Sequence, residues 1–162
     1  MLRQVTPFRA ALAITIVAFA TIAGAWIFEA FGYLPCELCL KQRWAYYIGV
    51  PLAALSTIVA ARSETSARPL LWLLALLFLG SMAFGIFHAG VEWGFWPGPT
   101  TCTGAATTAG SMDDFMKQLQ TAQVVQCDKV AIRILGLSLA GWNAVISAAM
   151  SALAVIGARA KA

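Results

Sequence analysis

Two cysteines separated by two residues are the strongest chemical signal in this sequence. They stand in Pro35-Cys36-Glu37-Leu38-Cys39, directly before a long apolar segment. At the start of a helix this spacing brings two sulfurs within one turn, and the positive end of the helix stabilises a thiolate. The motif therefore predicts a nucleophilic thiol and an easily formed disulfide. A purely structural disulfide is the alternative, and a zinc site shared with the other cysteines is a weaker one.

Cys102 and Cys127 are the other two cysteines. A bond between them is the simplest expectation, because the number of cysteines is even. They lie too far apart in sequence to form the second close-spaced motif that a zinc site usually has, so we predict no metal. Whether the bond is a brace or an exchange site depends on its strain and access. Spacing alone leaves both interpretations open.

Arg43 and His88 are further candidates close to the first pair. Arg43 follows Cys39 by four residues, so on a helix the two share one face. It would hold a Cys39 thiolate charged and offer donors to a cofactor oxygen such as that of a quinone, unless it is an ordinary interfacial arginine. His88, the only histidine, is predicted at similar depth and would donate to the same oxygen, or simply end its helix.

The elements that position these residues are predicted to lie in a membrane. The chain is 60% hydrophobic and 11% charged, whereas soluble domains have about 25% charged residues. Four apolar segments reach the roughly 20 residues that a spanning helix needs. The predicted spans are 10–31, 44–61, 70–89 and 137–158. We therefore predict an all-α integral membrane protein, a single domain over residues 1–162 built as a four-helix transmembrane bundle.

The positive residues indicate the orientation of this bundle. An even number of spans places both termini on one side, and six residues in the tails and one tight turn share it: Arg3, Arg9, Arg62, Arg68, Arg159 and Lys161. Positive residues in short segments favour the cytoplasmic side, so loops 32–43 and 90–136 are predicted to be periplasmic. All four cysteines then lie where disulfides persist. The scattered Lys and Arg residues do not indicate a nucleic-acid partner.

Residues 111–119 carry the signals of a short helix within the second periplasmic loop. Ser111 followed by Asp114 marks a helix start. Apolar residues then recur at helical spacing, namely Met112, Phe115, Met116 and Leu119. We expect a short amphipathic helix on the membrane surface, although packing on a span or on a partner accounts for the spacing equally well.

Over essentially its whole length the chain resembles the bacterial disulfide bond formation protein B family, DsbB. The resemblance rests on Cys127 and on three runs, PCELCLKQR at 35–43, WPGPTTC at 96–102 and GLSLAGWN at 136–143. It implies a quinone-dependent protein-disulfide oxidoreductase of the bacterial inner membrane. It also implies that Cys36 and Cys39 form the quinone-facing pair, with Cys39 nearest the ring, and that Cys102 and Cys127 form the partner-facing pair.

The same resemblance implies a cofactor and a partner. The cofactor would be ubiquinone or menaquinone, bound with the help of Arg43 and, less directly, His88. The partner would be DsbA, a periplasmic thioredoxin-like oxidase that arrives reduced and leaves oxidised.

Two other classes of protein compete with this interpretation. A vitamin K epoxide reductase-like enzyme has its Cys-x-x-Cys at the start of the last span, whereas the last predicted span here has no cysteine. A non-enzymatic membrane protein would use two disulfides to brace its outer loops. A trapped mixed disulfide would distinguish an enzyme from such a braced protein.

Overall fold

The computed structural model describes residues 5–99 and 126–160. Within these ranges four long helices form a bundle, and a small hairpin precedes the last helix. The helices are α1 (Pro7–Ala30), α2 (Glu37–Arg62), α3 (Glu64–Glu92) and α4 (Leu139–Arg159), and the strands are β1 (Arg133–Ile134) and β2 (Leu137–Ser138). The strands pair antiparallel through a tight turn in which Leu135 and Gly136 both have positive φ.

Each of the four helices is long and apolar enough to cross a membrane. The shortest has 21 residues, and the mean hydropathy of their most apolar windows runs from 1.5 to 2.4. At a rise of 1.5 Å per residue, 21 residues extend about 31 Å, which matches a hydrocarbon core of about 30 Å. The prediction of an all-α, four-helix membrane bundle is confirmed.

A side chain caps the first turn of every helix in this bundle. Three hydroxyls, those of Thr6, Ser63 and Ser138, accept from the backbone N–H three residues further on. At the start of α2 the Sγ atom of Cys36 takes this role. A cap satisfies a backbone donor that the helix itself leaves unpaired. The first cysteine of the motif is therefore fixed at a helix N-terminus by the fold.

Small residues allow the helices to approach one another closely. A Cβ atom placed on Gly157 would lie 2.5 Å from the Cβ of Ala10, and one on Gly85 would lie 3.0 Å from the backbone N of Ala144. These contacts join α4 to α1 and to α3, as small residues do in membrane bundles. Large apolar side chains such as Leu76 are exposed on the outside of the bundle, where lipid would cover them.

The helices extend beyond several of the predicted spans. Residues 37–43, which were assigned to a loop, belong to α2, and only Ser63 separates α2 from α3. A hydropathy window starts where the apolar residues start, whereas helical hydrogen bonding continues through polar residues at the interface. Conversely, residues 137–138 were assigned to the last span but pair as a strand. The predicted helix at 111–119 and Cys102 lie outside the described residues.

Candidate functional site

The Cys-x-x-Cys motif forms the first turn of α2. Cys36 is the N-cap, and its Sγ accepts a hydrogen bond from the backbone N of Cys39 at 3.2 Å. The two sulfurs are unbonded and lie 2.7 Å apart. A disulfide has an S–S length of about 2.05 Å, so only a small movement separates this pair from a bond. The two sulfurs are therefore placed to form a disulfide with each other.

The environment of Cys36 favours its thiolate. Its side chain is buried, and the Nε2 atom of His88 lies 3.6 Å from its Sγ. The pKa of the Cys36 thiol is lowered to about 5, mainly by a hydrogen bond from the Cys39 thiol and also by His88, against the opposing effect of burial. In the reduced pair, Cys36 is therefore the nucleophilic sulfur at neutral pH.

His88 is buried in α3 with polar partners on both ring nitrogens. Its Nδ1 lies 3.1 Å from the Nε2 of Gln42, and its Nε2 lies 4.0 Å from a carboxylate oxygen of Glu92. An amide nitrogen can only donate, so Nδ1 accepts and the neutral ring carries its proton on Nε2, facing Cys36. In the structure the ring lies against the Sγ of Cys36. The predicted role of His88 toward quinone stays a prediction.

An apolar cavity of about 340 Å³ lies between α1, α2 and α4, closed at one end by the α1–α2 loop and the hairpin. Its few polar wall residues are Thr21, Tyr33, Cys39, Gln42, Arg43, Tyr46 and Asn143. Cys39 and Arg43 thus share this cavity, as their spacing predicted. Among the described residues that line it, neither Cys36 nor His88 occurs. The two sulfurs of the motif therefore face different surroundings.

Arg43 is held on the cavity wall by an ion pair. Its Nη1 donates to the Oε2 of Glu29, in the last turn of α1, at 2.6 Å. The guanidinium side chain is only 11% exposed, so water screens its charge much less than it would at the surface. Sequence reasoning missed Glu29 as this partner, because no spacing rule connects two residues on different helices.

Cys127 lies against the other side of the motif. It is 2% exposed and belongs to a buried cluster with Cys36, Leu38 and Val91. It is also disulfide-bonded. Cys102, its predicted partner, lies outside the described residues. A cysteine from the segment before the hairpin therefore packs in the same cluster as the first cysteine of the motif.

The motif also offers ligands that a metal ion would need. The ligand atoms of Cys36, Cys39 and His88 all lie within 4.8 Å of one another. Two thiolates on one tetrahedral zinc, with Zn–S lengths of about 2.3 Å, stand about 3.8 Å apart. The two sulfurs lie 2.7 Å apart, closer than two ligands of one zinc ion, and the prediction of no metal stays a prediction.

Fold and site together define a multi-pass membrane protein whose partly buried thiol pair lies between an apolar cavity and a further cysteine. A family model described as Disulfide bond formation protein DsbB matches residues 7–157. The chain belongs to this DsbB family and is a disulfide bond formation protein.

Curated relatives agree with the family assignment. Disulfide bond formation protein B of Albidiferax ferrireducens is 29% identical over 150 residues, covering 89% of this chain and 80% of the relative. That of Verminephrobacter eiseniae is 28% identical, covering 85% and 78%. An uncharacterized protein of Rickettsia prowazekii is 27% identical, covering 84% and 77%. No solved structure gives a significant match.

Proposed function

We propose that this protein reoxidises a periplasmic thioredoxin-like oxidase of the DsbA type and passes the electrons to a membrane quinone. One observation carries the proposal, namely the different surroundings of the two sulfurs. Cys39 lines the apolar cavity, whereas Cys36 packs in the cluster that contains Cys127. A pair with this arrangement connects a second cysteine to a cofactor site.

The cavity suits a quinone in size, polarity and charge. Its volume of about 340 Å³ is in the range of small-molecule sites, and its walls are mainly apolar. Its position among spanning helices favours a lipid-soluble ligand. Arg43 supplies a cation on the same wall as Cys39, where negative charge develops during electron transfer. When bound, the quinone supplies the oxidising power, taking up two electrons and two protons to leave as quinol.

Thiol–disulfide exchange accounts for the protein's part of the reaction. The partner's thiolate attacks Cys102, forms a mixed disulfide and releases Cys127 as a thiolate. Cys127 then attacks Cys36 of the oxidised pair, so that a Cys36–Cys127 bond forms and Cys39 leaves as a thiolate. The shared cluster of Cys36 and Cys127 supports this choice of sulfur. Each step exchanges one S–S bond for another without a net change in electrons.

Regeneration of both disulfides completes the cycle. The partner's second thiol releases it in oxidised form and frees Cys102, which attacks Cys127 and restores their bond. Cys36 is then free as well, and the reduced Cys36–Cys39 pair would close its own disulfide by giving two electrons and two protons to a quinone held in the cavity. Arg43, oriented by Glu29, offsets the negative charge of the Cys39 thiolate during this transfer.

We further propose that the bundle spans the inner membrane and that the end carrying the cysteines faces the periplasm. Cys36, His88 and Cys127 lie at one end of the helices. At the opposite end, Arg68 donates to the backbone O of Ala160 at 2.8 Å, and Arg159 lies over the ring of Trp72. Arginines in the short turn and tail at this end favour the cytoplasm.

A coupled assay tests the proposed function. The purified protein is mixed with a reduced thioredoxin-like oxidase and a soluble quinone, and quinol and oxidised partner are counted. We expect one quinol per oxidised partner for the native protein and none for Cys39→Ala or Cys127→Ala. Ser151→Ala, which removes a buried hydrogen bond to Ala75 away from the site, is the matched control and should remain active. No quinol from the native protein, or continued turnover by Cys39→Ala, would contradict the proposal.

A further inference from the structure

Asn143 carries an unused hydrogen-bond donor on the wall of the cavity. It lies in the second turn of α4 and is 8% exposed. In the described parts of the chain, four buried side-chain atoms lack a hydrogen-bond partner: Ser56 Oγ, Arg68 Nε, Glu92 Oε2 and Asn143 Nδ2. Of these residues, only Asn143 lines the cavity. Leaving a buried amide donor unpaired costs free energy, so such a group calls for an explanation.

The neighbours of Asn143 fix which amide atom is free. Tyr46 donates its hydroxyl proton to the Oδ1 atom at 2.5 Å, and the Oγ of Ser147 lies 3.4 Å from the same oxygen. Tyr46 has no better acceptor, because its distance to Ser147 Oγ is 3.4 Å. With Oδ1 occupied by hydroxyls, the amide nitrogen remains as the donor. The hydroxyl network therefore orients Asn143 as a donor without satisfying it.

The position of Asn143 separates it from the charged end of the cavity. It contacts Tyr46, which follows Arg43 by three residues on α2 and so lies about 4.5 Å deeper along the helix axis. Arg43 and Asn143 thus present donors at two depths of the same cavity, from two different helices. A ligand with two acceptor oxygens on opposite sides of a ring matches this arrangement.

We propose that Asn143 Nδ2 donates a hydrogen bond to the ring carbonyl that lies away from Arg43, and that Tyr46 positions the amide for it. This inference rests on the proposed quinone function and assigns its inner polar contact. A carbonyl is a pure acceptor, so it pairs with the one amide atom that the protein leaves free.

Equilibrium binding to the oxidised protein tests this contact without turnover. The probe is a short-tailed ubiquinone, and its dissociation constant is measured from quenching of tryptophan fluorescence, since Trp142 lies on the cavity wall. We expect Asn143→Leu to raise the Kd about 5- to 30-fold, which corresponds to one lost hydrogen bond. The matched control is Ser151→Ala, which removes a buried hydrogen bond to Ala75 from the same helix but lies off the cavity wall, and it should stay within about twofold of the native Kd.

Thermal unfolding without quinone measures the structural effect of the substitution. Asn143→Leu removes the unpaired Nδ2 donor and also the Oδ1 acceptor of the Tyr46 hydroxyl, so some loss of stability is expected in the quinone-free protein, and the Kd decides whether Nδ2 also contacts the ligand. A lower unfolding temperature with an unchanged Kd would overturn the inference and make Asn143 purely structural. If the native protein binds quinone and Asn143→Leu binds it equally well, only this inference fails. If the native protein binds no quinone, the proposed function fails with it.

Discussion

Replacing Cys39 by alanine removes the hydrogen bond that contributes most to the low pKa of Cys36. In the reduced native pair that pKa is about 5, compared with 9.0 for an ordinary thiol. At pH 7 the native pair should therefore hold roughly a hundred thiolates per thiol, and an ordinary cysteine roughly one per hundred. Once the side-chain hydrogen bond is gone, burial remains and raises the pKa, opposed only by His88 and by the backbone N–H of residue 39. We expect the pKa of Cys36 in Cys39→Ala to return toward its ordinary range.

The assay is a pH titration of the ultraviolet thiolate absorbance of the reduced protein. Cys102 and Cys127 are replaced by alanine so that only the pair at α2 contributes. The sign is fixed by the lowered pKa, because the thiolate persists above about pH 5 and is lost as the pH falls through that value. His88→Ala should raise the pKa by less than Cys39→Ala, since its contribution is smaller. A first titration step near pH 9 in the otherwise native pair would refute this electrostatic reasoning.

Three further predictions concern the cavity, the orientation and the order of exchange. Arg43→Ala should weaken quinone use in steady-state kinetics, and Arg43→Lys should also do so if planar donor geometry matters. Glu29→Gln should have a smaller effect, because this partly exposed ion pair is worth at most about 1 kcal/mol. If all three variants used quinone at the native rate, Arg43 would be a simple interfacial residue. A membrane-impermeant thiol reagent should label the gently reduced protein in intact cells, and labelling confined to inverted vesicles would reverse the orientation. On non-reducing gels, Cys127→Ala should trap a mixed disulfide between Cys102 and the oxidase whereas Cys102→Ala traps none, and equal trapping would contradict this order.

The sequence predicts the bundle and the first pair of sulfurs because local rules determine both. Four apolar segments of spanning length require four helices in lipid, whatever their packing. The Cys-x-x-Cys spacing places Cys36 and Cys39 within one turn, and the four-residue step to Arg43 places its side chain on the same face as Cys39. Both Cys39 and Arg43 line the cavity, so their placement on one side of α2 can be predicted without knowing how the helices pack.

The remainder of the site depends on how the helices rotate and pack. Depth along a span is readable from sequence, but the direction in which His88 faces is not, and the structure turns it toward Cys36. Glu29 reaches Arg43, and Asn143 reaches the cavity wall, from helices whose contacts are set by small residues and not by a motif. A polar residue inside an apolar span is nevertheless a signal of function, and Asn143 could have been selected on that ground.

In the proposed function the pair at α2 carries electrons from Cys127 to a quinone in the cavity, and the disulfides of a Cys39→Ala variant test this claim most directly. Without Cys39, the Cys36 thiolate should attack Cys127, form a Cys36–Cys127 bond and release Cys102 as a thiol, with no external oxidant. Peptide mass spectrometry under non-reducing conditions, with alkylation of free thiols, identifies the bonded residues. We expect peptides linked through Cys36 and Cys127, with Cys102 alkylated. A Cys102–Cys127 bond that persists beside an alkylated Cys36 would contradict the proposed path.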